Sequence, residues 1–398
     1  MHTSYQRKIG VFMAVIFISV FAFSQKGLPP DQTTVATVHT VYPKLLDFRD
    51  SLVKRLKVPE GYKLIVAAAG LGKPRMMVAT KDGLYVTRRD IGDVLFLQDK
   101  DGDGKFDQLK TVVAHYDDVH GITVKDNWLY LCSSKKLSRG QLSADGSVGK
   151  LDTLINDLPD GGQHDNRTIA FGPDNKLYIT VGSNCNDCAE TNPENATIVQ
   201  TDENGKERKI FARGLRNTIG FDWNPETKEL WGLDHGTDWR GDEKPPEELN
   251  KIVEKGDYGW PQVYGKQSVD STREDPIGTT KEAYAKTTVP AVMLFPAHSA
   301  PIDFKFLSSN NTPAQYKNSG IVTWHGSWNR INPQGYKVQL ISFKNGEPVD
   351  AKDFLAGFLS EDSKTTFGRP AGIALANDCS IFISDDANGV IYKLSVSK

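Results

Sequence analysis

The chain has 398 residues, a formal net charge of −2 with 48 basic and 50 acidic side chains, and four cysteines. A near-neutral balance without basic runs gives no electrostatic footprint for nucleic acid. Four cysteines can pair if the chain is exported to an oxidising compartment.

In chain order, Arg7 and Lys8 precede an apolar stretch over residues 9–23 and the small-residue pattern Ala22-Phe-Ser24. This reads as a secretory signal over residues 1–24, cut after Ser24, which predicts a periplasmic or secreted protein. The rival reading is a membrane anchor, but the apolar stretch is shorter than the ~20 residues a spanning helix needs. Cleavage removes two positive charges, leaving about −4. No stable membrane insertion of the mature chain is expected.

Residues 25–57 form an extension in which Leu45, Leu46, Phe48, Leu52 and Leu56 predict one short amphipathic helix within 43–57. From there to the end of the chain, a turn followed by a short apolar-aromatic strand returns six times. The copies are Gly83-Leu-Tyr-Val-Thr87, Trp128-Leu-Tyr-Leu-Cys132, Lys176-Leu-Tyr-Ile-Thr180, Glu229-Leu-Trp-Gly-Leu233, Gly320-Ile-Val-Thr-Trp324 and Ser380-Ile-Phe-Ile-Ser384. Their first apolar residues stand at 84, 129, 177, 230, 321 and 381, intervals of 45, 48, 53, 91 and 60. Propeller blades repeat at roughly 40–50 residues, so residues 58–398 are predicted to form an all-β, six-bladed β-propeller. The interval of 91 holds the charged, Pro- and Gly-containing segment 241–286, read as a loop inserted between blades. Loops joining the repeats at one end of the channel are the expected place for function.

Three of these loops carry candidate chemistry. His164 stands in a glycine-flanked loop before a strand, where an imidazole can serve as a general base or as an ordinary hydrogen-bonded residue. Arg216 and Asn217 occupy the same place one blade later, and a guanidinium donates in a planar fork to carboxylates or carbonyls. Leu233-Asp-His-Gly-Thr-Asp-Trp-Arg-Gly-Asp-Glu243 offers many carboxylates and turn carbonyls, which suit calcium or form a solvated acidic loop. Separately, Asp99-Lys-Asp-Gly-Asp-Gly-Lys-Phe-Asp107 has a calcium-loop spacing in Asp99, Asp101, Asp103 and Asp107. Its twelfth position is Lys110, so it is not an EF-hand, and an Asp-Gly turn between outer strands is the alternative. Cys185 and Cys188 form a C-x-x-C that reads as a local disulfide or two thiols, because a zinc site would need a second such pair. A partner for Cys132 or Cys379 is not legible.

Gly214-Leu-Arg-Asn217, Asp234-His-Gly236, Tyr258-Gly-Trp-Pro261 and Gly368-Arg-Pro-Ala-Gly372 together resemble the soluble quinoprotein glucose/sorbosone dehydrogenase family, from about residue 57 onward. The resemblance implies a propeller that holds pyrroloquinoline quinone (PQQ) and calcium over its channel and oxidises an aldose to its lactone. It implies that His164 is the base and that Arg216 faces the quinone oxygens beside Asn217. Main-chain carbonyls of Gly236 and Thr237 would hold the calcium, Thr237 standing where proline is frequent. Arg369, with Arg330 or alternatively Lys337, would meet the cofactor's carboxylates, and the family's next cationic position falls at Ala371. His120 is a candidate substrate contact, and His235, His298 and His325 are candidates for the channel mouth, each with structural packing as the alternative. No C-x-x-C-H haem motif is present, Ala189 following Cys188, so electrons would go to a separate acceptor, a cytochrome or a quinone. Two other classes share the fold: a calcium-dependent lactonase, which would need an inward ring of carboxylates, and a non-enzymatic propeller that binds carbohydrate or protein.

Overall fold

The six copies of the repeat each become the second strand of a four-stranded antiparallel sheet in the computed structural model, which describes residues 38–159, 162–307 and 312–397. The expected signal segment lies outside the described residues. Blade 1 is Met77–Ala79, Leu84–Arg88, Asp93–Gln98 and Gln108–Val113, and blade 2 is Gly121–Lys125, Trp128–Cys132, Leu137–Gln141 and Asp152–Ile155. Blade 3 runs Ile169–Phe171, Leu177–Val181, Thr197–Thr201 and Lys209–Arg213; blade 4 runs Thr218–Trp223, Leu230–Asp234, Glu247–Ile252 and Met293–Phe295. Blade 5 is Pro301–Phe306, Ser319–Trp324, Lys337–Lys344 and Glu347–Leu355. Blade 6 takes Pro370–Leu375, Ile381–Asp385 and Val390–Val396 from the C-terminal end and its outermost strand, Tyr62–Ala68, from the N-terminal side. That antiparallel pairing, from Tyr62 opposite Val396 onward, closes the ring.

The first strands are innermost and pack against one another. Gly372 shows how tightly, since a Cβ there would stand 2.2 Å from the Arg75 carbonyl oxygen of blade 1. The repeat recurs because each copy is buried on both faces, with Leu84, Leu129, Leu177, Ile321 and Ile381 between neighbouring sheets. Its hydroxyl position also staples blades together. Ser384 Oγ accepts from Gly372 N in its own blade (2.7 Å) and donates to the Arg75 carbonyl of blade 1 (2.7 Å). Thr87 Oγ1 likewise accepts from Met76 N (3.1 Å) and reaches the His120 carbonyl of blade 2 (3.3 Å). Because Ser384 is fully buried, Ser384→Ala strands two polar groups and is expected to destabilise the fold by about 2–4 kcal/mol. Thermal unfolding checks this; an unchanged midpoint would show that the staple contributes nothing.

Two expectations are corrected. The interval of 91 is not a loop between blades: it contains the third strand of blade 4, Glu247–Ile252, and the insertion lies inside that blade, before Met293–Phe295. Alternation is masked there because Glu247 and Glu248 are both buried charged residues. The insertion carries a hairpin, Val263–Tyr264 with Ser268–Val269, and a helix, Lys281–Ala285. Within residues 43–57, only Asp50–Val53 is helical, while Lys44–Leu45 is a strand parallel to Thr365–Thr366. Leu56 is buried and Leu46, Phe48 and Leu52 are half-buried against the core of blades 5 and 6, forming an irregular strap, whereas Leu45 is exposed. Among the described residues, no helix is long and apolar enough to cross a membrane.

Candidate functional site

In an antiparallel meander, residues just before the first strand and just after the second lie at the same end of a blade. One or two residues before the first strand stand Arg75, His120, Arg167, Arg216 and Arg369 in blades 1, 2, 3, 4 and 6. The corresponding position of blade 5 is Ala300. The ring a lactonase would need is one of carboxylates; this one is of guanidinium and imidazole groups.

His164 and Arg216 are brought together through Ser183, which follows the second strand of blade 3. His164 Nδ1 lies 2.7 Å from Ser183 Oγ and 3.2 Å from the Ser183 carbonyl. The serine hydroxyl donates to the Cys185 carbonyl at 2.6 Å, and Ser183 N donates to the Arg216 carbonyl at 2.7 Å. A serine has one hydroxyl proton, so the Nδ1 contact is satisfied when Nδ1 carries the proton. That tautomer leaves Nε2 as the basic atom, and it has no hydrogen-bond partner among the described residues. Burial first, then the charge of Arg216, then His235, press the His164 pKa down to about 2. The imidazole is therefore neutral. Gly182 makes the approach possible, because a Cβ there would meet His164 Cβ at 2.6 Å and Asn217 Oδ1 at 2.9 Å.

The Arg216 side chain is buried and fixed. Its Nε donates to the Asn186 carbonyl (2.9 Å), and its Nη2 donates to Asn186 Oδ1 (2.8 Å) and Asp238 Oδ2 (3.1 Å). Burial works against its charge, while Asp238, Asp234 and Glu247 favour it. The buried Asp234 carboxylate accepts from the main-chain N–H of Arg216 (2.9 Å) and Asn217 (2.8 Å), tying the start of one strand to the end of the next. Asp238 in turn accepts from Asn329 Nδ2 at 2.6 Å, and that amide also contacts His298 Nδ1 at 3.1 Å. Sequence reasoning missed Ser183, Asn186 and Asn329, for which no local pattern exists, and took Asp238 only as one carboxylate of the acidic loop 233–243.

Gly236 N donates to the buried Glu247 Oε2 at 3.0 Å, and Trp260 Nε1 donates to Thr237 Oγ1 at 3.2 Å. A Cβ on Gly236 would lie 2.8 Å from the Pro245 carbonyl oxygen and 3.0 Å from that of Pro246. Two main-chain carbonyls thus face Gly236, a donor chemistry that fits a hard cation, whereas both Glu247 oxygens are taken by N–H groups and burial raises its pKa to about 8.

Arg369 donates Nε to the His325 carbonyl (2.9 Å) and Nη2 to the Gly326 carbonyl (2.8 Å), and its guanidinium sits 5.7 Å from the Tyr336 ring centroid. No carboxylate pairs with it among the described residues, so its charge suits an acidic ligand. Neither candidate for the second cation joins it. Arg330 is buried with its guanidinium on the Ala297 carbonyl (2.9 Å) and Glu243 (2.6 Å), and Lys337 pairs with Asp353 at 2.7 Å. Arg75, which the sequence reading missed, stands nearer: its charge acts on His120, His235, His325 and Arg369 alike. It pairs with Asp386 and lines a cavity of about 380 Å³ with Lys73 and Arg89. Its place before a first strand, like that of Arg216, was the available signal.

His120 is corrected as a substrate contact. It is fully buried, facing Arg75, Arg89 and the Arg167 carbonyl, and exposes no atom to a sugar. One ring nitrogen, Nε2, of each of His235, His298 and His325 meets, respectively, the main-chain carbonyl of Pro301 (2.6 Å), that of Gly241 (2.8 Å) and Asp386 (2.7 Å). Oxygens of Asp99, Asp101 and Asp107 converge within 4.8 Å, while Asp103 caps Lys105 N at 2.7 Å. That loop joins the third and fourth strands of blade 1, at the end of the propeller opposite His164. Cys185 and Cys188 are joined as a disulfide, whereas no bond links Cys132 to Cys379, which sit in different blades.

The family model for TrAA12-like proteins matches residues 56–397. The chain belongs to this family. It is 31% identical over 366 residues to an uncharacterised protein of Borreliella burgdorferi, covering 88% of this chain and 93% of that one. It is 24% identical over 403 residues to a PQQ-dependent pyranose dehydrogenase of Coprinopsis cinerea, covering 85% of this chain and 54% of that protein. The chain thus spans about half of the Coprinopsis protein's length. The holo PQQ domain of a Coprinopsis pyranose dehydrogenase superposes with a TM-score of 0.73 at 20% identity, covering 90% of this chain and all of that one. A Trichoderma reesei AA12 structure gives 0.74 at 22% identity, covering 86% and 98%. These likenesses show the propeller fold, and the family is one of PQQ-dependent sugar dehydrogenases.

Proposed function

We propose that this chain oxidises an aldose at its anomeric hydroxyl to the lactone, using PQQ and calcium held over the channel mouth, and passes the electrons to a separate acceptor. The observation that carries this reading is the His164–Ser183–Arg216 arrangement, a neutral imidazole with a defined basic atom beside a fixed guanidinium. PQQ, when bound, supplies the hydride acceptor. His164 Nε2 takes the hydroxyl proton, and the contact of Nδ1 with Ser183 steadies the imidazolium that forms. Arg216 and Asn217 present donors where negative charge builds. Gly236 and Thr237 would hold the calcium, and Arg369, with Arg75 nearby, would meet an acidic group of the cofactor. The amino-terminal pattern, read as a signal, supports placing this chemistry outside the cytoplasm.

The rim supports a sugar as the substrate. Tyr42 and Trp239 are 67% and 41% exposed, and Trp328 packs between them, stacked on Tyr42 (ring centroids 6.2 Å) and edge-on to Trp239 (5.0 Å). Trp239 is next in the chain to Asp238, which accepts from Arg216, and Trp328 is next to Asn329, which donates to Asp238 at 2.6 Å. Aromatic faces offer rigid apolar area to the C–H face of a pyranose. Trp239→Ala is expected to raise KM by about tenfold with kcat little changed, as a loss of roughly 1.4 kcal/mol of ground-state binding would. Steady-state kinetics decide, and an unaltered KM would remove the ring from the substrate's path.

The reading is tested by adding PQQ and calcium to the purified protein and following dye reduction with a panel of aldoses. Reduction with at least one sugar is expected. No reduction with any sugar and no cofactor-dependent spectral change would overturn it.

A further inference from the structure

The Cys185–Cys188 disulfide has so far played no part in the chemistry, yet the turn it closes touches both central residues. Ser183, which holds His164 Nδ1, donates its hydroxyl to the Cys185 carbonyl at 2.6 Å. Asn186, between the two cysteines, receives two of the three bonds made by the Arg216 side chain, at 2.9 Å on its carbonyl and 2.8 Å on its side-chain oxygen. The same side-chain oxygen accepts from Asp238 N at 2.8 Å, and Asn186 Nδ2 donates to the Asp238 carbonyl at 3.2 Å. The next residue, Asp187, binds Arg240 and lies 3.4 Å from Arg273, both on the blade 4 side.

Within the turn, the disulfide acts beside the bond from the Ser183 hydroxyl to the Cys185 carbonyl. Residues 182–190 belong to no strand or helix, and both cysteines are half-exposed. Outside the turn, Glu190 closes its base by accepting from Asn184 N at 2.6 Å and Asn195 Nδ2 at 2.8 Å. A main-chain carbonyl in an irregular segment keeps its direction only if the segment is restrained, and here the covalent cross-link adds to the bonds of Asn184, Asn186 and Asp187.

We propose that the disulfide-closed turn is a positioning device for the reaction, with Asn186 as a positioning residue that aims the Arg216 guanidinium. This rests on the dehydrogenase reading for its purpose, though not for its geometry. A cross-link stabilises a fold more the longer the loop it closes, and four residues is short. Opening it therefore disturbs the site more than the fold. The guanidinium loses the fork that orients it, and a ligand meeting Arg216 finds a donor that has to be ordered on binding.

The test compares the oxidised protein with a Cys185→Ser/Cys188→Ser double variant and with wild type reduced by a phosphine, which supplies the two electrons for the two thiols. The Arg216 Nε–H resonance, assigned by its loss in Arg216→Lys, reports position. It is expected to shift and to exchange with solvent at least tenfold faster in both opened forms. Asn186→Ala is expected to do so in part, and Asn186→Asp, which keeps the acceptor oxygen but loses the Nδ2 donation to the Asp238 carbonyl, to do so less than Asn186→Ala. PQQ titration by tryptophan quenching is expected to show about a tenfold weaker Kd in the opened forms, with thermal midpoints close to wild type. An unchanged resonance and exchange rate in both opened forms would overturn the proposal, as would an unchanged PQQ affinity where wild type binds. A wild type that binds no PQQ counts against the dehydrogenase reading alone, because the Arg216 resonance still decides whether the disulfide positions that side chain.

Discussion

His164→Gln is expected to lower kcat by about 10²- to 10⁴-fold, the range for loss of a positioned general base, while PQQ affinity stays near that of wild type. The glutamine side chain keeps polarity and approximate volume but has no basic atom at neutral pH. Steady-state kinetics with dye reduction, beside a PQQ titration, separate the two effects. Activity within a few-fold of wild type would take the base role from His164. The same residue sets the pH dependence. An unperturbed histidine, with a pKa of about 6.5, is about nine-tenths protonated at pH 5.5 and so mostly lost as a base. Here burial, the charge of Arg216 and His235 hold the value down to about 2, so the base stays unprotonated across the mildly acidic range. The acid limb of kcat is expected well below pH 6. The sign for stability is the opposite: below about pH 6.5 the unfolded chain binds a proton that the folded site refuses, so this group makes the fold progressively less stable as pH falls.

Arg216→Lys is expected to lower kcat/KM by about 10²- to 10³-fold, although the charge is kept. A lysine ammonium cannot reproduce three bonds from two planar nitrogens to the Asn186 carbonyl, Asn186 Oδ1 and Asp238. The magnitude is that of removing one preorganised donor from a site where charge develops. Arg216→Ala is a poorer probe, since it adds a cavity to the loss, shared by any neutral substitution, of the cation beside buried Asp234 and half-buried Asp238. A neutral substitution of similar size, Arg216→Met, adds a second readout. With one of the charges that depress His164 removed, and Arg167 and His235 still facing it, the acid limb of kcat is expected to move upward. A limb that stays in place would separate Arg216 electrostatically from the base.

Some errors of the sequence reading have specific physical causes. The third strand of blade 4 was invisible because Glu247 and Glu248 interrupt its hydrophobicity. Glu247 Oε2 accepts from Gly236 N and Oε1 from Ala300 N, at 3.0 Å each, so the carboxylate does structural work that a strand pattern does not anticipate. The helix over 43–57 failed because Leu46, Leu52 and Leu56 contact the core through a strap running beside Thr365–Thr366, and helical spacing over so few residues is easily accidental. His120 looked like a substrate contact from its place before an inner strand, but depth along the channel wall is a property of the closed ring.

The sequence by itself determined the blade count, because a strand buried on both faces must be apolar wherever it recurs, and its copies at 84, 129, 177, 230, 321 and 381 survive as spacing. It also determined which loops carry His164, Arg216 and Gly236, since residue type and position relative to the repeat are local properties. Only the tertiary structure decided which charges meet. Arg75 reaches the center because blade 6 closes on blade 1, Arg330 and Lys337 are taken by Glu243 and Asp353, and Asn186 faces Arg216 from the neighbouring blade. Such pairings join residues far apart in the chain, through backbone and side-chain directions that are fixed only once the ring is closed.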